Sequence, residues 1–168
     1  MNDRIPLVCV MGVSAAGKST VGAALAETIG VRYLDADDLH SDENRARMRA
    51  GVPLTDEDRQ PWLDAVGAEF RGRRATGVVI ACSALRRRYR DRIRAAEPDV
   101  VFVHLDGSPD LLGARAGART EHFMPARLLA SQFATLEPLE ADEPGLVADV
   151  ATGTSELVAE VATRLRAL

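Results

Sequence analysis

Apolar residues run without interruption from Ile5 to Met11, and Val78 to Cys82 and Val100 to Leu105 repeat the pattern. Runs of this length with no polar alternation are the signature of strands buried on both faces. Weaker strand patterns lie at Val31 to Leu34 and Leu146 to Val150. Between them the apolar period changes to that of a helix. Lys18 to Ile29, Leu39 to Ala50, Gln60 to Arg74, Arg86 to Ala96, a segment behind Ser108-Pro109, a segment ending about Phe133 and a closing stretch from Thr154 all read as helices. Gly51-Val52-Pro53 separates the second from the third, and Ser108-Pro109 supplies an N-cap followed by proline at the first helical position. Strands alternating with helices predict an α/β fold, a three-layer sandwich around a five-stranded parallel sheet. No repeat, low-complexity tract or linker divides the 168 residues, so one domain spans 1–168 and one site must serve every ligand.

The strand and helix that open the chain are joined by Gly12-Val13-Ser14-Ala15-Ala16-Gly17-Lys18-Ser19, a full G-x-x-x-x-G-K-[ST] pattern in its strand-loop-helix setting. The amides of such a loop and the positive end of its helix cradle phosphate oxygens. The reading assigns Gly12, Ser14, Ala15, Ala16, Gly17, Lys18, Ser19 and Thr20 to ATP, with Lys18 bridging the β- and γ-phosphates and the Ser19 hydroxyl on Mg²⁺; Thr20 has helix residue as its competing reading. Composition sharpens this. Lys18 is the single lysine among 21 basic residues, so lysine is kept where a compact ammonium, not a guanidinium, fits.

Composition also excludes. A formal net charge of −4 with interspersed signs leaves no basic face for nucleic acid. The apolar start is too short to span a membrane, and two cysteines make no disulfide framework; the expectation is a cytoplasmic protein. A GTPase requires an N-K-x-D segment, which a chain with one lysine lacks. A small-molecule kinase remains.

The second strand runs into Leu34-Asp35-Ala36-Asp37-Asp38-Leu39-His40, at the sheet edge that faces the phosphate loop. Asp37 reads as the base for an attacking hydroxyl, Asp35 as the metal-side carboxylate, Asp38 as a helix N-cap, and His40 as an acceptor contact or a helix-face histidine.

Beyond the phosphate loop, the chain resembles the gluconokinases. The resemblance lies in Asp35 to His40, Asn44 to Met48, Gly51-Val52-Pro53-Leu54-Thr55-Asp56 with Asp58-Arg59 and Pro61-Trp62-Leu63, Cys82-Ser83-Ala84-Leu85 with Tyr89-Arg90-Asp91, His122-Phe123, and Gln132-Phe133 with Leu136-Glu137. It implies ATP-dependent phosphorylation of D-gluconate, an acceptor cap over about 38–75, a lid over about 115–127, and a homodimer. It further implies that Asp37, His40, Arg45, Arg49, Arg59, Ser83, Arg87, His122 and Gln132 meet the acceptor, and that Arg115 and Arg119 meet the nucleotide, with Arg119 catalytic. Gluconate carries one carboxylate, which calls for arginine; Arg86, Arg87 and Arg90 stand behind Ser83 as candidates. Family members commonly have lysine at the first two, so which arginine grips the carboxylate stays open. Lysine and glycine also commonly precede the His-Phe pair, where this chain has Thr120-Glu121. For Asp56 and Asp58 the competing reading is helix cap and first turn, and for Trp62 it is core. The adenine is expected near Ala151 to Thr154. Rival functions are phosphorylation of shikimate or a related sugar acid, and a non-catalytic nucleotide-binding regulator.

Overall fold

The computed structural model describes residues 4–118 and 126–168. Arg119, His122 and most of the expected lid lie outside them.

Five parallel strands, β1 (Leu7–Met11), β2 (Arg32–Asp35), β3 (Val78–Ala81), β4 (Val101–Asp106) and β5 (Gly145–Asp149), lie in the order β2-β3-β1-β4-β5. β1 is central, pairing Cys9 with Ile80 of β3 and Phe102 of β4, and every residue of it is buried. That double burial is why it reads as a continuous apolar run.

Among the described residues seven α-helices cover the sheet: α1 (Lys18–Ile29), α2 (Asp42–Arg49), α3 (Asp56–Gly72), α4 (Arg87–Ala96), α5 (Pro109–Ala118), α6 (Ala126–Thr135) and α7 (Thr154–Arg166). Strand alternation sorts the core into two layers. Val8, Val10, Val79, Val103 and Leu105 meet Val21 and Leu25 of α1 and Leu157 and Val161 of α7. Leu7, Cys9, Ile80 and Phe102 meet Leu63, Val66 and Phe70 of α3 and Ile93 of α4. Helices α3 and α4 approach closely at Gly67, where an added Cβ would stand 2.7 Å from the Ala96 methyl. The three-layer α/β sandwich expected from the pattern is therefore present.

Two boundaries differ for local reasons. α3 begins at Asp56, four residues before the apolar period suggests, because Thr55 and Asp58 form a reciprocal capping box that satisfies two end amides; Pro61 consequently sits inside the helix. The Leu39–Ala50 pattern divides into a 3-10 turn at Ala36–Leu39, capped by the Asp35 carboxylate on the Asp37 amide, and α2, capped by Ser41 on the Asn44 amide. Asp38 thus caps no helix, against expectation.

Candidate active site

Gly12 to Ser19 turns from β1 into α1 at the C-terminal sheet edge. Gly12 has φ 149°, and a Cβ there would meet the Leu105 carbonyl at 2.9 Å, so only glycine lets the loop leave the strand. Its amide donates to the Ser83 carbonyl at 3.3 Å. Ala15 holds φ 67°, an uncommon conformation for a residue with a side chain. Gly17 caps α1 at φ 90° with no side chain on the helix end, which leaves first-turn amides directed at the loop mouth. The Lys18 Nζ donates to the Val13 carbonyl at 3.1 Å.

Opposite the loop stand the acids at the end of β2. Ser19 Oγ donates to Asp35 Oδ2 at 3.3 Å, and Asp35 Oδ1 accepts the Asp37 amide at 2.9 Å. Desolvation, reinforced by the neighbouring Asp35 charge, pushes the Asp37 carboxyl above the usual carboxylate range, while Lys18 pulls the other way. An oxygen set of one hydroxyl and one carboxylate suits a hard divalent ion.

Helices α2 and α3 flank this cleft. His40 lies flat on Trp62, ring centroids 4.3 Å apart and planes 11° apart. Trp62 Nε1 donates to the Ala36 carbonyl at 2.7 Å. Trp62 is therefore core, and it also ties α3 to the 3-10 turn that carries Asp37. Burial, with the Arg59 and Arg45 charges, lowers the His40 pKa, which keeps the ring neutral near pH 7. Arg45 donates to the Asp38 carbonyl at 2.6 Å, and Arg49 is exposed on the last turn of α2. Arg59 donates to the Leu54 carbonyl at 2.8 Å and lies over the Tyr89 ring. Asp58 is engaged by the cap and by Arg47 at 2.8 Å, and Asp56 accepts from Tyr89 Oη at 2.5 Å and pairs with Arg88.

Three expected contacts are redirected. Arg87 does not present its guanidinium to an acceptor: Glu140 at 2.6 Å, Asp142 at 2.7 and 2.8 Å and Asp91 at 3.1 Å occupy it. Arg90 is fully buried, paired with Glu143 at 2.6 and 3.0 Å and bonded to the Ala84 carbonyl at 2.9 Å. Gln132 turns to the phosphate loop, accepting the Ser14 amide at 2.6 Å and donating to Ser14 Oγ at 3.0 Å. The acidic partners Glu140, Asp142 and Glu143 went unnoticed in the sequence; the surplus of arginine behind Ser83 was the available signal that such partners must exist. Arg115 reaches the Val150 carbonyl at 2.7 Å, beside the loop expected to hold adenine.

The shikimate kinase family profile matches residues 14–156. A gluconokinase of Arabidopsis thaliana is 45% identical over 82% of this chain and 79% of its own length. The chain belongs to the gluconokinase family of P-loop kinases. The crystal structure of a gluconokinase from Sinorhizobium meliloti superposes with a TM-score of 0.88 at 43% identity, covering 96% of this chain and 94% of that one. An unliganded sugar kinase from Janibacter gives a TM-score of 0.90 at 44% identity over 96% and 95% of the two chains. Family membership makes the chain a phosphotransferase.

Proposed function

We propose that this chain transfers the γ-phosphoryl group of ATP to D-gluconate, giving ADP and 6-phospho-D-gluconate. The observation that carries the reading is the facing of the phosphate loop and the Asp35–Asp37 pair, in a chain that so closely matches gluconokinases along nearly its whole length. The terminal hydroxyl oxygen of gluconate attacks the γ-phosphorus, and the bond from that phosphorus to the bridging oxygen breaks. Its electron pair leaves with ADP, and the hydroxyl proton passes to Asp37. A raised Asp37 pKa suits a base that must hold that proton briefly.

Lys18 and the loop amides from Gly12 to Thr20 take the phosphates. Mg²⁺, when bound, neutralises phosphate charge; Ser19 and Asp35 would hold it, with phosphate and water oxygens completing its shell. We assign the acceptor carboxylate to the cap arginines Arg45, Arg49 and Arg59; Arg87 and Arg90 are engaged by carboxylates of the protein, and Arg86 faces Glu137 at 3.9 Å. His40 and Ser83 line the acceptor side, and Arg115 meets the nucleotide near the adenine; Arg119 and His122, assigned to the nucleotide and the acceptor, lie outside the described residues. Among the described residues no helix is long and apolar enough to cross a membrane; we read the enzyme as cytoplasmic, in keeping with two free cysteines, and as a homodimer.

ADP release from Mg·ATP across D-gluconate, L-idonate, shikimate, glycerate and nucleoside monophosphates tests the reading. Stimulation by gluconate far above the others is expected. Equal or greater stimulation by another acceptor overturns the substrate, and ATP binding with no stimulated release overturns the kinase.

A further inference from the structure

The phosphate loop contains a residue in a conformation that its own side chain disfavours. Ala15, at φ 67°, sits in a conformation that a Cβ disfavours, and such residues persist only where their surroundings over-determine them. Ala15 is 6% exposed, so water does not supply that constraint. The residue just before it is gripped from outside the loop. The Gln132 carboxamide accepts the Ser14 amide at 2.6 Å and donates to Ser14 Oγ at 3.0 Å, two bonds to one residue across 118 positions. One bond to its N–H and one to its hydroxyl fix the Ser14 residue in orientation as well as in distance. Behind it, the Val13 carbonyl receives both the Ala16 amide at 3.3 Å and Lys18 Nζ at 3.1 Å. The Val13–Ser14 peptide is thus held through its carbonyl by the loop itself and through its N–H by α6.

We infer that Gln132 is a positioning residue, acting through Ser14 to hold the strained Ser14-Ala15 turn in the shape that receives nucleotide phosphates before any nucleotide arrives. Pre-organisation of this kind lowers the cost of ordering the loop on binding. This rests on the loop binding nucleotide phosphates and not on gluconate as acceptor.

The test uses the full chain with Gln132→Met, close in size but unable to make either bond, and Ser14→Ala, which loses the Oγ bond alone. Mg·ADP affinity is measured by titration calorimetry and Mg·ATP kinetics at saturating acceptor. Each lost bond is worth roughly two- to tenfold in an equilibrium. Gln132→Met is expected to weaken Mg·ADP about tenfold and raise the KM for ATP to match, with kcat within about threefold, the pattern of binding lost equally from ground and transition states. Ser14→Ala shows a smaller loss in the same direction. A merely destabilised fold lowers kcat with the active fraction and leaves KM alone. Ala15→Gly removes the disfavoured Cβ, so its effect on Mg·ADP affinity is more favourable in the Gln132→Met background than in the parent by threefold or more. An ADP affinity within twofold of the parent in Gln132→Met, or equal effects of Ala15→Gly in both backgrounds, overturns the inference. Calorimetry with ADP needs no acceptor, so a wrong substrate assignment leaves the result readable.

Discussion

Replacing Arg90 by methionine keeps the volume of a long side chain and removes its charge. Arg90 and the Glu143 carboxylate are both shut off from solvent, joined by bonds of 2.6 and 3.0 Å. The same guanidinium serves the Ala84 carbonyl at 2.9 Å and the Pro138 carbonyl at 3.3 Å. Without it, Glu143 keeps the Glu140 amide at 2.8 Å and loses both of its short contacts to Arg90. Breaking a buried pair from one side costs about 3–5 kcal/mol. For a chain of this size about 2–4 °C in Tm accompanies each kcal/mol, so the midpoint should fall by about 6–20 °C. The double variant Arg90→Met with Glu143→Leu removes the stranded charge and should recover much of the loss, since a buried pair is often no better than packed apolar groups. The pair also sets a pH window. Burial works to raise the Glu143 pKa, and the Arg90 bond, the Glu140 amide and the nearby charges outweigh it, so the folded value is depressed. A depressed carboxylate adds stability above its unfolded pKa and loses it as pH falls through the folded one; the parent should therefore weaken through mild acid faster than the double variant. Equilibrium urea unfolding of parent, both singles and the double, at pH 7 and in mild acid, measures all of this. A single-variant loss under about 1 kcal/mol at unchanged m refutes the reasoning, because it would mean that the Glu140 amide and the Arg87 guanidinium 3.9 Å away, or water, suffice for the Glu143 charge.

Three changes in the cleft are read by kinetics. Asp37→Asn should lower kcat by about 10²–10⁴ while Mg·ATP affinity stays within a few-fold; since the base acts deprotonated and its pKa is raised, parent activity should fall with acid at a pH above the ordinary carboxylate range, and a large loss of ATP binding in the variant would move Asp37 to the metal instead. Lys18→Arg should abolish most turnover although charge is conserved, because a guanidinium is broader than the ammonium that the loop encloses; near-normal kcat sinks the argument from the single lysine. Trp62→Phe preserves an aromatic face for His40 and loses the bond to the Ala36 carbonyl, so stability should fall by about 0.5–1.5 kcal/mol and the KM for the acceptor should rise more than that for ATP; equal shifts in both would separate Trp62 from the acceptor side.

The sheet was legible because burial on both faces writes itself into sequence as an unbroken apolar run, and the phosphate loop because its chemistry is compressed into eight consecutive residues. The Ser19, Asp35 and Asp37 grouping was readable because β2 and β1, parallel in one sheet with β3 between them, end at the same sheet edge. What escaped is carried by contacts that leave no local trace. Arg87 carries the same guanidinium whether it meets a substrate or Asp142, and the choice is made by a loop more than fifty positions away. Gln132 belongs to a stretch that resembles the family, yet nothing in its neighbours says that its amide turns toward Ser14 and not toward an acceptor. The start of α3 was misplaced because an apolar period marks the packed face, whereas the capping box at Thr55 lies before that face begins.

These distant contacts share an address. The phosphate loop is seated by the Ser83 carbonyl on Gly12 and by Gln132 on Ser14. Ser83 is followed by Ala84, itself at φ 44°, whose carbonyl is held by the buried Arg90. The core ion pair and the first glycine of the nucleotide site are therefore linked through two consecutive residues, one of them in a backbone conformation that needs support. Stability and nucleotide binding are coupled by that construction: the Arg90→Met protein that remains folded should bind Mg·ADP more weakly than the parent, whereas a destabilising substitution elsewhere in the core, such as Val161→Ala on α7, should leave the affinity of the folded fraction unchanged.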